Sequence, residues 1–563
     1  QNQGPPRPSV DGTVTIIQNT NNNPDPTPNP DPTPSPDPIP SPDPIPSPDP
    51  TIVTDTVSND VTNQGTAPGD AVSSTGGLSS DTGNVLNNTG SVSADTGSVS
   101  TNTGSVSSDT GSISTDTTSG LTEPINSATP TGNQPRPVET KSDMVLMEDE
   151  LFTRQFEKYL GLSTNTPIAT VEEAQGILGR IEESTGVKPV LIYAVFVPQT
   201  VAPNQGNSQE KVQNFGKKSD QDQLELVVIT SKGLPIRKRI EGATRSQVIR
   251  VANQFRTQVT DIRDKQGYLE SGRQLYEWLI APVEAYLTGQ NIQNLNFITD
   301  IGLRSLPFVA LNDGQQFLVE KYSLGLMPSL SLTDTRYQDI KNLEILAMGA
   351  AKFDDQRPLP AVPTELSFIT SSLWQGKSFL NEAFTLDNLK EQRQQQPFGI
   401  IHLATHATFQ SGEPSNSYIQ LWDTKLRLNQ LSQLGWSKPP VELLVLSACR
   451  TALGNEEAEL GFAGLAVQAG VKSALGSLWF VSDDGTLGLM TEFYQQLRKS
   501  PIKAEALRQA QLAMIKGQVH LENGKLVTGN KSVPLPPELV KLGNKTFQHP
   551  YYWASFTMVG NPW

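Results

Sequence analysis

The sequence predicts an α/β fold: a mainly parallel sheet flanked by helices, preceded by a long segment that cannot form a core of its own. Three observations carry that prediction. From residue 341 onward, short apolar runs alternate with stretches of helical length and periodicity, the pattern of parallel strands joined by crossovers and covered on both faces. Between 187 and 340 a second, less regular set of such runs occurs. Before Phe152 there is no Phe, Trp or Tyr, and Pro, Ser, Thr, Asn, Asp and Gly dominate. That stretch lacks the apolar area to offset the entropy of ordering it.

The elements are expected as follows. From Pro24 to Pro50 every second residue is proline, which holds the backbone near polyproline II and makes a semi-rigid spacer. A seven-residue repeat follows, with Gly83, Gly90, Gly97, Gly104 and Gly111 in register with Val85, Val92, Val99, Val106 and Ile113. One small apolar residue and one glycine per heptad cannot build a coiled coil, which needs two apolar positions and good helix formers. Residues 1–142 therefore read as a disordered stalk. Met144, Met147, Leu151, Phe152, Phe156 and Leu160 are spaced for a helix over 144–160, and a second helix fits 170–184. VKPVLIYAVFVP (187–198) is a buried strand, and 224–240 a hairpin turning at Lys232-Gly233. Helices are expected at about 244–262 and 271–287, then a strand, loop and Pro-led turn over 295–313. Further on, strands fit 343–348, 398–404, 442–447 and 472–479, with helices at 364–373, 385–393, 460–469, 484–498 and 503–516. The expected division is 1–142, 143–340 and 341–563.

Charge and composition narrow the function. The chain of 563 residues carries a net charge of -15. Residues 1–140 hold 15 Asp and Glu against Arg7 and Arg136, so most of the excess lies in the stalk. No basic footprint for nucleic acid is present. No apolar run reaches the length of a membrane span, and no signal peptide is visible. The single cysteine excludes an internal disulfide. The sequence opens on Gln1 rather than Met, which fits a processed product or a fragment. Location is left open, a secreted or cell-surface setting being favoured over the cytoplasm.

Two segments carry the chemistry. FGIIHLATHATF (398–409) delivers His406 just past its expected strand, and ELLVLSACRTALG (442–454) delivers Cys449. In an open α/β sheet ligands bind at the carboxyl edge of the strands. A thiol there needs an imidazole to accept its proton and later to protonate a departing amine. The two residues are 43 positions apart, room for one crossover. His402, inside the apolar run, reads as a hydrogen-bonded core residue; His520 and His549 read as structural. The histidines and the cysteine show no metal-ligand spacing, and no cofactor is expected.

Several motifs recur in order: GLRSLPFVAL (302–311), LPAVPTE (359–365), IHLATHA (401–407), LVLSACRT (444–451), GFAGLAVQAGVKSALGSLWFVSDDGT (461–486), FYQQL (493–497), AEALRQAQLAM (504–514) and HPYYWASFTMVG (549–560). Over roughly 270–563 the chain resembles the CHAT branch of the caspase-like cysteine peptidases, related to separases and gingipains and in this form bacterial. The resemblance implies a caspase-like sheet in 341–563 and a degenerate caspase-like half within 143–340. It implies a peptidase whose dyad is His406 and Cys449, in the histidine-first order of caspases, with the oxyanion held by the N–H groups of Ala407 and Cys449. In separases a W-x-x-x-D spacing supplies an acid for a basic P1 side chain. By that likeness Asp483, with Asp484 beside it, is the candidate substrate pocket; the competing reading is a helix N-cap. Arg450 is expected to favour an acidic partner or to pair with Glu459.

The leading expectation is thus a cysteine endopeptidase acting on proteins or peptides through a thioester. The alternative is a catalytically silent caspase-like module for interaction or surface display on a long stalk.

Overall fold

The computed structural model describes residues 146–198 and 218–563 apart from 164, 452, 453 and 530, and at 448–451 the backbone alone. All belong to the second of two units into which the chain divides, 127–563. The expected stalk and most of the loop at 203–221 lie outside the described residues.

The strands, in chain order, are β1 (Pro189–Val197), β2 (Gln223–Ile229), β3 (Ile236–Thr244), β4 (Asn294–Thr299), β5 (Ser323–Leu326), β6 (Ile345–Gly349), β7 (Gly376–Leu380), β8 (Ile400–Phe409), β9 (Tyr418–Gln420), β10 (Lys425–Arg427), β11 (Leu443–Thr451) and β12 (Ser473–Ser477). Four short strands follow, β13 (Val519–Glu522), β14 (Lys525–Thr528), β15 (Lys531–Pro534) and β16 (Lys545–Thr546), and then β17 (Phe556–Gly560). Among the described residues, thirteen strands form one mostly parallel sheet. Its path is β10-β9-β8-β11-β12-β17-β5-β4-β1-β2-β3, with β6 pairing β8 and β7 pairing β6. The strands β7, β6, β8, β11 and β12 are mutually parallel, as are β17, β5, β4 and β1. The two groups meet antiparallel at β12 and β17. The expected boundary at 340 falls between β5 and β6, in a sheet that continues without interruption.

The apolar run of β1 shows why such strands form. Val190, Ile192, Ala194 and Phe196 pack into one hydrophobic cluster and Leu191, Tyr193, Val195 and Val197 into another. Alternate side chains point to opposite faces, so burial on both sides demands a continuous apolar run. Helix Met147–Leu160 supplies Phe152 to the second cluster, and Val171–Thr185 supplies Ala174, Leu178 and Ile181. Thr170 and Glu173 close a capping box on the latter.

Several expected elements take a different form. The helix expected over 271–287 is two helices, Gly267–Leu279 and Ala281–Gly289, because Pro282 lacks an N–H and fits only a first turn. Strand β8 continues to Phe409 and β11 to Thr451, so His406 and Cys449 lie within strands rather than just past them. The extensions hold because they pair with each other, and β9 pairs with β8 at Ala407 and Thr408. Between β8 and β11, where the spacing leaves room for one crossover, the chain makes the β9–β10 hairpin and a 3-10 stretch, Leu428–Leu434. The sheet of β13–β16 lies where no strand is expected.

Candidate functional site

The site is built on β8. His402 and His406 stand four residues apart on it, in different surroundings. His402 is fully buried; its Nδ1 lies 3.0 Å from the Tyr494 hydroxyl, and its Nε2 lies 3.0 Å from Glu365 Oε1 without hydrogen-bond alignment. It is a core histidine. His406 instead borders an open cleft of about 770 Å³, with Asp355, Arg357, Thr408, Tyr418 and Phe480 among its walls.

The His406 ring is held on three sides. Its Nε2 is 2.8 Å from the carbonyl oxygen of Arg357. A carbonyl only accepts, so Nε2 carries the proton and the neutral ring keeps its lone pair on Nδ1. Phe353 lies against the ring at 4.7 Å, and Phe480 stacks at 6.1 Å. Burial pushes the imidazole below its ordinary pKa, opposed by the bond to Arg357 and the charge of Asp355. A neutral ring with an available Nδ1 is what a general base requires at neutral pH.

Cys449 reaches the same region through β11. Its backbone pairs with Ala407, and Ala448 pairs with His406. The register shifts just before this point: Leu446 is opposite Leu403, yet Ala448 is opposite His406, leaving Ala404 and Thr405 across from Ser447. Such a bulge re-aims the residues beyond it. Without it His406 itself would stand opposite Cys449. Ala407 and Cys449 thus face each other across adjacent strands, and Ala407 is also paired with Ile419 of β9.

Asp483 and Asp484 open the helix that follows Val481 and Ser482. Neither is among the residues bordering the cleft. Asp483 is the first residue of helix Asp483–Leu497, whose N-cap is Ser482, with Oγ accepting from Gly485 N–H. The Asp483 carboxylate accepts instead from the N–H of Ala361 at 2.5 Å. Asp484 is buried and receives Lys545 Nζ at 2.7 Å. Glu459 is likewise fully engaged: Oε1 with Arg256 at 3.2 Å and Ser305 Oγ, Oε2 with Gly302 N–H at 2.8 Å. Arg256 is its ion-pair partner among the described residues; the Arg450 side chain, expected to favour an acidic partner or to pair with Glu459, lies outside them. His520 Nδ1 and His549 Nε2 both bond to backbone carbonyls, of Gly517 and Asp264. Among the described residues no cluster of three or more His, Cys, Asp or Glu is arranged to hold a metal, and no helix is long and apolar enough to cross a membrane.

Burial pushes the Asp483 carboxyl up to about 7, with the charges of Glu365 and Asp484 adding to the rise and the Ala361 N–H opposing it. The folded pKa is above the unfolded one, so the contribution to stability is fully present below about pH 4. It is lost as pH rises through about 7, by roughly 4 kcal/mol at most. Asp483→Asn is expected to flatten this dependence and to stabilise the protein at pH 8 relative to wild type. Denaturant melts at pH 5 and pH 8 check it; unchanged pH dependence would contradict the assignment.

Residues 269–561 match the family model described as CHAT domain. The chain belongs to the CHAT domain family. Among solved structures similar to this CHAT protein is the Saccharomyces cerevisiae separase in its complex with securin, at 9% identity and a TM-score of 0.38. That match covers 72% of this chain and 33% of the separase chain, so the CHAT protein spans about a third of that neighbour. Another is the Porphyromonas gingivalis gingipain with its pro-domain, at 10% identity and a TM-score of 0.32, covering 55% and 71% of the two chains. The Arg-specific cysteine proteinase gingipain R matches at 10% and 0.31, covering 54% and 69%. No curated protein matches the sequence.

Sequence reasoning missed Arg357, Phe353, Phe480 and the role of Glu459. Arg357 acts through its carbonyl, which every residue has, so nothing in the sequence singles it out. Glu459 is four positions beyond Asn455, the N-cap of helix Glu456–Ala463, and its partners lie more than 150 residues away.

Proposed function

We propose that this protein is a cysteine endopeptidase. Nδ1 of His406 accepts the Cys449 thiol proton, and the thiolate attacks the scissile carbonyl carbon of a protein or peptide substrate. The oxyanion is held by the N–H groups of Ala407 and Cys449. On collapse the C–N bond breaks, the imidazolium passes its proton to the departing amine, and a thioester remains. Water, deprotonated by the same imidazole, then hydrolyses the thioester and returns the thiol. In this reading 341–563 carries the chemistry, and 143–340 supports it without a nucleophile. The observation that carries the proposal is the His406 imidazole: neutral, fixed by Arg357 through Nε2 so that Nδ1 can accept a proton, and bordering an open cleft near the end of β8.

A thiol-reactive peptide probe should label Cys449 in the wild type, and labelling should slow by at least about tenfold in His406→Ala. Equal labelling rates in the two would refute the dyad. The second reading, a silent interaction module, draws on the pairing of β8 and β11 past both residues, which leaves Ala407 between two strands. It predicts no labelling at all under native conditions.

A further inference from the structure

We propose that Asp483 is a positioning residue for His406, acting through the segment 350–361. This rests on the reading of His406 as the base. That segment leaves β6, borders the cleft at Asp355, Gln356 and Arg357 and enters helix Val362–Phe368. It is tied at both ends. Ala350 N–H donates to the Ala404 carbonyl at 3.2 Å, Leu359 N–H to Ala351 at 2.9 Å, and Ala351 N–H to Asn381 Oδ1 at 2.9 Å. The last tie before the helix is Ala361 N–H to Asp483 Oδ2. Arg357, whose carbonyl takes the His406 proton, lies between these ties.

The chain of cause is short. Ala361 is fully buried, and its N–H stands at a helix start where no intrahelical partner exists. Asp483 is the acceptor that satisfies it, across 122 residues of sequence. Removing that acceptor leaves a buried donor unpaired, and the segment must shift to reach another. A hydrogen bond at 2.8 Å weakens quickly with displacement, so Arg357 then no longer selects the Nε2–H tautomer. The opposite tautomer has its proton on Nδ1 and cannot accept one from a thiol there. The buried groups around Asp483 are Glu365 and Asp484, the latter neutralised by Lys545, with His402 beyond Glu365. None of them donates to the Asp483 carboxylate in place of Ala361.

The test uses the full chain and two readouts. In a Cys449→Ala background, ring nitrogen NMR should find His406 in the Nε2–H form. Asp483→Ala should give mixed tautomers, and Asp483→Asn, whose Oδ1 can accept the same N–H, should match the parent. His402 should be unchanged in all three. Ala361→Pro removes the donor from the other side at a φ of -75°, which proline tolerates, and should likewise give mixed tautomers, so the test stands even where Asp483→Ala does not fold. With Cys449 intact, Asp483→Ala should lower kcat between about 10- and 100-fold for basic and neutral P1 residues alike, with KM little changed. A His406 tautomer indifferent to both Asp483→Ala and Ala361→Pro overturns the proposal. So does a selective loss of cleavage after Arg or Lys in Asp483→Asn, which would make Asp483 a substrate contact. If no variant turns over any substrate, the peptidase reading fails while the tautomer measurement still decides the positioning role.

Discussion

Cys449→Ala is expected to remove peptide-bond hydrolysis below detection, and His406→Ala to reduce it about 100- to 10,000-fold, both without loss of fold. His402→Ala should do the reverse. It leaves the buried Tyr494 hydroxyl without its partner, which costs about 1–3 kcal/mol, and should change turnover only through the folded fraction. The contrast is informative because the two histidines share one strand four residues apart. A peptide-library cleavage assay alongside denaturant titrations measures both effects. If His402→Ala abolished turnover at full stability while His406→Ala did not, the assignment of base and core residue would be inverted.

Glu459→Ala is expected to have the largest effect on stability, about 3–5 kcal/mol. Both members of its ion pair with Arg256 are almost completely buried, so removing the carboxylate strands a guanidinium that burial already pushes below its ordinary pKa. It also removes the acceptor of Gly302 N–H and Ser305 Oγ. Glu459→Gln keeps an acceptor for part of this set and should cost less. The helix bearing Glu459 starts at Glu456, shortly after β11 ends at Thr451, while Gly302 and Ser305 follow β4 and Arg256 lies on the helix Arg245–Thr260. A loss of activity exceeding the loss of folded protein would mean that this cross-link also sets the position of Cys449. A cost under about 1 kcal/mol in urea titration would show the pair to be dispensable.

Much of the fold is legible in the sequence because parallel strands buried on both faces must be apolar throughout. The runs around Val190–Val197, Ile345–Met348, Ile400–Ala404 and Leu443–Leu446 are accordingly easy to find. What escapes is of three kinds. The edge strands β7 and β10, and β9 beside the latter, are short and partly polar, and GKSFL or KLR carries no pattern that separates it from a loop. The far end of β8 is masked because THATF alternates polar with apolar residues, so the apolar run stops at Ala404 although pairing continues to Phe409. The bulge at Ala404–Thr405 depends on how two distant strands meet, which no local pattern encodes. The site divides along the same line. His406 and Cys449 are visible as rare reactive residue types, whereas the Arg357 carbonyl and the Asp483–Ala361 bond are products of tertiary placement.

The position of β17 bears on how the chain folds. This strand is the seam of the sheet, bonded to β12 on one side and β5 on the other. Until residues 556–560 are available, each parallel group of strands is left with an open edge of unpaired backbone groups, the kind of surface that invites association between chains. Closing the seam joins segments far apart in sequence, and such long-range closure is slow. Refolding should therefore pass through a species with native-like strands and an unfinished sheet, and its yield should fall as protein concentration rises.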